Sequence, residues 1–266
     1  MTGAWQDPGS LPLIIAHRGA SELAPENTVP AFVGAARAGA DMLEIDVQMT
    51  SDGAAVVIHD DTVDRTTDGA GRVADLASDE IRHLDAGAWF DPAYAGTPLP
   101  RLADVLALLT RYRDLELLLE VKGTWPADPL RAMLGALTDA GLGARVLVQS
   151  FTPQTVATAR EVAPDLRRGL LIGREEPGLL DLCAELDVVT CNPRGDVLLE
   201  QPDLLPTLHG HGLRSMVWTL NEPDHWAAAL AAGADGIITD RPDRLRGWLE
   251  GQSSTAPLRD GAAAPA

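Results

Sequence analysis

Several apolar runs in this chain end on side chains that can do chemistry, where a plain strand would end in turn residues. His17 and Arg18 close "LIIAHRG" (13–19), Glu44 and Asp46 interrupt "MLEIDV" (42–47), His59 ends "AVVIH" (55–59), and Glu120 and Lys122 end "LELLLEVK" (115–122). Residues i and i+2 of a strand share a face, so Glu44 lies beside Asp46 and Glu120 beside Lys122. Three carboxylates with no cysteine near them make an oxygen-only ligand set for one hard divalent cation, Mg²⁺ or Ca²⁺, which would also relieve their mutual repulsion. With two imidazoles, an arginine and a lysine added, the chemistry that fits is phosphoryl transfer at a diester. Metal and cations would hold the phosphate oxygens, one imidazole would take a proton from the nucleophile, and the other would protonate the leaving alcohol. Lys122 is the only lysine in a chain that otherwise uses arginine twenty times, which marks a place suited to a compact point charge.

Nine apolar runs are candidate strands: 13–17, 42–47, 55–59, 115–121, 145–150, 168–173, 187–191, 214–218 and 236–239. Between most of them lie stretches such as "TVPAFVGAARA" and "DHWAAALAA", with apolar residues at three- and four-residue spacing. "AGADMLEID" at 38–46 is echoed by "AGADGIITD" at 232–240, each with a glycine suited to a helix end just ahead of a strand. Repeated βα units predict an α/β fold, a (β/α)8 TIM barrel, with a doubly wound open sheet as the rival.

Nine runs are one too many for eight staves. The second and third are too close for a parallel crossover, so they should pair as an antiparallel hairpin turning near Ser51 to Ala54 on Asp52-Gly53. Folding about that turn sets His59 opposite Asp46 or a neighbour, with Glu44, Asp46 and His59 on one face. Residues from 60 to about 100, rich in Gly, Asp and Pro, are too long for a barrel loop. They read as a small inserted subdomain after the third strand, covering one barrel end, with Trp89 and Phe90 as its core. Residues 1–250 then form a single domain, and 251–266, without apolar periodicity, a disordered tail.

Composition excludes other classes. A net charge of −18, from 21 Lys plus Arg against 39 Asp plus Glu, argues against nucleic acid or an anionic membrane as a whole-surface partner. No stretch reaches the roughly 18 to 20 apolar residues of a transmembrane segment, and "MTGAWQDPGSLP" lacks the basic start and apolar core of a secretory signal, so a cytoplasmic chain is expected. Cys183 and Cys191 fit neither a disulfide framework nor a zinc site and read as reduced core residues. His83, His209, His211 and His225 stand outside the motifs, and Ser150 has no nucleophile-elbow context.

Taken in order, "IIAHRGASELAPENTVPAF", "GADMLEIDVQMTSDGAAVVIHDDTVDRTTDGAGRV", "LLLEVKG", "VLVQSF", "MVWTLN" and "GADGIITDRP" span nearly the whole chain. Together they resemble the glycerophosphodiester phosphodiesterases. That resemblance implies a barrel with an insertion after the "HD" motif and a divalent ion on Glu44, Asp46 and Glu120. It also implies His17 and His59 as the acid/base pair, Arg18 and Lys122 as phosphate ligands, and Asn27, Gln149 and Trp218 lining the pocket. The implied substrate is a small-molecule glycerophosphodiester, such as glycerophosphocholine or glycerophosphoethanolamine, cleaved to sn-glycerol 3-phosphate and an alcohol. The turn "TSDG" lacks a lysine that many relatives carry, a surface difference. Two alternatives stand beside this reading: a lysophospholipid or other phospholipid phosphodiesterase, marked by an apolar rim, and a noncatalytic glycerophosphodiester-binding protein, which would not require both histidines and all three acids. The sequence does not assign the acid and base labels, but a position opposite Asp46 would favour the imidazolium form of His59 and so leans toward His59 as the acid. Whether water or the glycerol 2-hydroxyl attacks stays open, as do the headgroup and the oligomeric state.

Overall fold

In the computed structural model, which describes residues 11–174 and 177–254, all nine apolar runs become strands. The order is β1 (Leu13–Ala16), α1 (Val29–Arg37), β2 (Met42–Met49), β3 (Ala55–Val57), α2 (Ser78–Ile81), α3 (Leu102–Arg111), β4 (Glu116–Val121), α4 (Ala127–Asp139), β5 (Val146–Ser150), α5 (Pro153–Val162), β6 (Arg167–Ile172), α6 (Leu179–Leu186), β7 (Thr190–Pro193), α7 (Gly195–Glu200), α8 (Leu204–Gly210), β8 (Met216–Val217), α9 (Pro223–Ala231), β9 (Gly236–Thr239) and α10 (Pro242–Ser254). Eight strands run parallel in the order β7-β6-β5-β4-β2-β1-β9-β8. Parallel bridges from Thr190 to Arg214 and from Arg194 to Trp218 join the two ends. The sheet is therefore a nearly closed (β/α)8 barrel rather than an open doubly wound sheet. The ninth strand, β3, lies antiparallel on β2 with Val57 opposite Val47, and the turn between them closes through Thr50 N–H donating to Ala54 O, with Gly53 at φ +78°.

Period-two alternation decides what each strand presents. Leu43, Ile45 and Val47 of β2 and Leu117, Leu119 and Val121 of β4 point outward into the core under the helices. Leu13, Ile15, Met42, Leu118, Leu147, Met216 and Ile238 form a separate buried cluster inside the barrel. Two residues further along each inward row the side chains change character: Ile15 leads to His17, Met42 to Glu44 and Asp46, Leu118 to Glu120 and Lys122, Leu147 to Gln149, Met216 to Trp218, and Ile238 to Asp240. The lower barrel is thus an apolar plug, and the carboxyl ends of the strands carry the chemistry.

Four local expectations need correcting. The β2–β3 register sets Ile58 opposite Asp46, because Val47 faces Val57 and Ile58 N–H donates to Asp46 O, so His59 falls one step on, beside a neighbour of Asp46 as expected but off the face that pairing would share with Glu44 and Asp46. His59 reaches the site only because the chain leaves the ladder after Val57. The insertion's core is aliphatic, built from Val56, Ile58, Val63, Val73, Ile81, Ala86 and Leu99. Trp89 is 40% exposed and stacks edge-on with Phe90, which in turn meets Tyr94 at 5.7 Å. β7 begins at Thr190 rather than 187, since Asp187, in the left-handed conformation, caps α6. Helix α10 runs through Ser254, past the expected domain end, and residues 255–266 of the expected tail lie outside the described residues.

Candidate active site

Glu44 and Asp46 from β2 and Glu120 from β4 meet inside the barrel, with one carboxylate oxygen of each within 4.8 Å of the others. The strand pairing causes this, since Asp46 is the register partner of Glu120. All three are buried, at 2%, 1% and 6% exposure. Burial, then repulsion from Asp46 and Glu120, raises the Glu44 carboxyl well above its usual range. Burial and Asp46 likewise push Glu120 up to about 7. Asp46 goes the other way: against its burial, Lys122 and Arg18 hold it well below the ordinary carboxylate value. The Lys122 ammonium sits 2.9 Å from Asp46 Oδ1 and 2.6 Å from Glu120 Oε1. A buried, all-oxygen set of mutually repelling carboxylates fits a hard divalent cation.

The loop after β1 brings the next groups. Arg18 and Gly19 both take the left-handed conformation, at φ 58° and 87°. A Cβ on Gly19 would lie 2.7 Å from the Ala31 carbonyl carbon, so the turn requires glycine. The twist aims the Arg18 N–H at Glu44 Oε2, 2.8 Å away, and brings Arg18 Nε to 3.3 Å from Asp46 Oδ2. Asn27, also left-handed, donates through Nδ2 to Asp46 Oδ2 at 2.8 Å, and its Oδ1 accepts from the Asp46 N–H. Asn27 is therefore a brace for an acidic residue, not merely a pocket wall.

Each histidine is held through Nδ1 by a carboxylate at 2.7 Å, His17 by Asp240 and His59 by Asp60. Ser21 Oγ and Asn221 Nδ2 also donate to Asp240. Against its burial, the His17 bond keeps Asp240 down at about 2. Burial lowers His59 below its ordinary value; Asp46 opposes this, while Arg18 and Lys122 add to it. Arg65 bonds both Asp60 and Glu26, and Glu26 accepts from Arg18 at 2.7 Å.

On the opposite side Gln149, register partner of Glu120, is fixed by Asn192 Nδ2 donating to its Oε1. Trp218 donates from Nε1 to Asn192 O and packs edge-on against Phe151 at 5.3 Å. The structure thus brings all ten sequence-predicted site residues to one barrel end. The sequence reading missed the supporting partners Glu26, Asp60, Arg65, Asn192, Asn221 and Asp240; all but Asn192 lie within the quoted motifs. The remaining histidines stay apart from this cluster: His209 meets Asp235, His211 bonds Thr207 O, and His83 and His225 are exposed. Ser150 Oγ donates to Val121 O, a structural bond.

The glycerophosphoryl diester phosphodiesterase family pattern matches residues 17–244. A glycerophosphodiester phosphodiesterase of Caldanaerobacter subterraneus subsp. tengcongensis is 37% identical over 237 residues, covering 88% of this chain and 96% of the relative. The crystal structure of the Agrobacterium tumefaciens str. C58 glycerophosphodiester phosphodiesterase superposes with a TM-score of 0.78 at 30% identity, over 89% of this chain and all of that one. An Oleispira antarctica phosphodiesterase in complex with the product sn-glycerol-3-phosphate matches at a TM-score of 0.80 and 25% identity, over 90% and 97% of the two chains. The chain belongs to the glycerophosphoryl diester phosphodiesterase family. With that membership it is an enzyme of the phosphodiesterase class, and its buried acidic triad is consistent with a divalent metal. Among the described residues no helix is long and apolar enough to cross a membrane.

Proposed function

We propose that this chain hydrolyses glycerophosphodiesters, such as glycerophosphocholine and glycerophosphoethanolamine, to sn-glycerol 3-phosphate and an alcohol, with His17 and His59 as the acid/base pair. The observation that carries the reading is the paired arrangement of the imidazoles. Each has Nδ1 engaged by a carboxylate at 2.7 Å, and both act on the charge of the same Asp46. With Nδ1 occupied, Nε2 is the atom left to exchange a proton.

One Nε2 accepts the proton of the attacking hydroxyl, water or the glycerol 2-hydroxyl, as its oxygen bonds to phosphorus; attack by the 2-hydroxyl closes a cyclic phosphate, which a second attack by water opens to glycerol 3-phosphate. The bond from phosphorus to the alcohol oxygen breaks, and the other Nε2–H delivers its proton there. Burial, with Arg18 and Lys122 reinforcing it, favours neutral His59. Although Asp46 and the Asp60 hydrogen bond oppose this, the net direction supports reading His59 as base and His17 as acid. Arg18 and Lys122 hold phosphate oxygens, while Gln149 and Trp218 wall the pocket. A divalent ion, Mg²⁺ or Ca²⁺, held by Glu44, Asp46 and Glu120 would supply further stabilisation of charge on the phosphate oxygens. A cytoplasmic setting belongs to the same proposal.

Purified protein should release glycerol 3-phosphate from these diesters, lose turnover in chelator, and regain it on addition of Mg²⁺ or Ca²⁺. Full activity after demetallation, or an unaffected Glu44→Gln variant, would remove the metal assignment. A second reading, a substrate with an acyl chain, is favoured by exposed Leu23 and the Trp89–Phe90–Tyr94 stack, which Tyr94 OH ties to Leu23 O. Running lysophospholipid beside glycerophosphocholine in the same assay separates the two.

A further inference from the structure

We propose that Arg65 is a positioning residue for this reaction, a single guanidinium on the insertion that ties the His59–Asp60 pair to the Glu26–Arg18 pair. Its Nε and Nη2 donate to Asp60 at 2.6 and 2.9 Å, and its Nη1 and Nη2 donate to Glu26 at 2.9 and 2.8 Å. Each of those carboxylates holds a second side chain: Asp60 Oδ1 meets His59 Nδ1 at 2.7 Å, and Glu26 Oε1 accepts from Arg18 Nη1 at 2.7 Å. Arg18 continues the chain to Asp46. The line therefore runs His59, Asp60, Arg65, Glu26, Arg18, Asp46, with carboxylates and guanidinium groups alternating after the imidazole.

Two features give this line a task beyond stability. His59 stands past the end of the β2–β3 ladder, so pleat alternation does not fix its ring; its orientation depends on Asp60. Arg65 itself is 45% exposed at the side chain, where an ion pair contributes little to folding. Yet its planar fork grips two carboxylates at once, a geometry an ammonium cannot reproduce. Without it, Glu26, whose side chain is only 14% exposed, would have Arg18 as its remaining cation and draw it off the phosphate, while Asp60 would lose its second anchor.

The inference rests on the proposed roles of His59 and Arg18, so His59→Ala is measured alongside Arg65→Met, Arg65→Lys and Asp60→Asn. Glycerol 3-phosphate release from glycerophosphocholine is followed in the metal-loaded enzyme. Arg65→Met should lower kcat and raise KM, together costing about 10- to 100-fold in kcat/KM, with a near-unchanged melting temperature. Lysine should rescue only a small part, and the Arg65→Met/Asp60→Asn double variant should lose less than the product of the two single losses. If Arg65→Met does not fold, Arg65→Gln carries the same comparison. Unchanged kcat and KM, full rescue by lysine, or fully independent losses would overturn the inference. A fully active His59→Ala would instead sink the underlying catalytic reading, whereas an inactive His59→Ala beside an unimpaired Arg65→Met removes Arg65 alone.

Discussion

Replacing Glu120 by glutamine in the metal-free protein should change how stability depends on pH. Burial and the neighbouring Asp46 raise the Glu120 carboxyl from an ordinary 4.5 to about 7. The folded state therefore binds this proton more tightly than the unfolded chain. The stabilisation is fully present below pH 4.5 and is lost as pH climbs through about 7. That gap in proton affinity is worth about 3 kcal/mol, most of which falls between pH 5 and pH 8. For a chain of this size it corresponds to roughly 5–10 °C in melting temperature. Glutamine keeps the shape and removes the titration. The test is a set of melts in chelator at pH 5 and pH 8 for wild type and Glu120→Gln. Wild type should lose those degrees relative to the variant on going to pH 8, and Mg²⁺ or Ca²⁺ should restore them in wild type by replacing the missing countercharge. Identical pH dependence in the two proteins would refute the claim that Glu120 is held protonated by burial and repulsion.

Lys122→Met should lower kcat/KM by about 100-fold or more, and it should also destabilise the metal-free protein, because the ammonium meets both Asp46 and Glu120; arginine should rescue poorly, and near-normal kinetics with an unchanged melt would take Lys122 out of the site. Loss of the general acid should devastate cleavage of choline or ethanolamine diesters but largely spare a nitrophenyl diester, whose leaving group needs no proton. His17→Ala should follow that pattern and His59→Ala should lose both activities; equal fractional losses on both substrates in both variants would refute the division of labour.

The parts of this site that were legible in the sequence share one physical property: they break a pattern. A carboxylate at every second position of a strand with an apolar outer face, as in "MLEIDV", is costly unless something uses it, and "LLLEVK" repeats the anomaly. The same logic located the hairpin, because two apolar runs lay too close for a crossover. What failed was detail that pairing or packing sets. One step of register takes His59 off the strand face it was expected to share with Asp46, and aromatic content made Trp89 and Phe90 look like a core that Val63, Val73, Ile81 and Leu99 supply instead.

The supporting partners were invisible for the converse reason. Asp240 lies 223 residues from the His17 it orients, so only barrel closure through the β1–β9 pairing makes them neighbours. Asp60 and Arg65 sit in "HDDTVDRTTDG", where charges are the rule and none stands out. In an apolar strand a charge announces itself by its cost; in a polar loop the same charge costs nothing until the fold gives it a partner. Chemistry placed on strands can therefore be read from composition and period alone, while the loop groups that aim it become readable only once strand order and register are known.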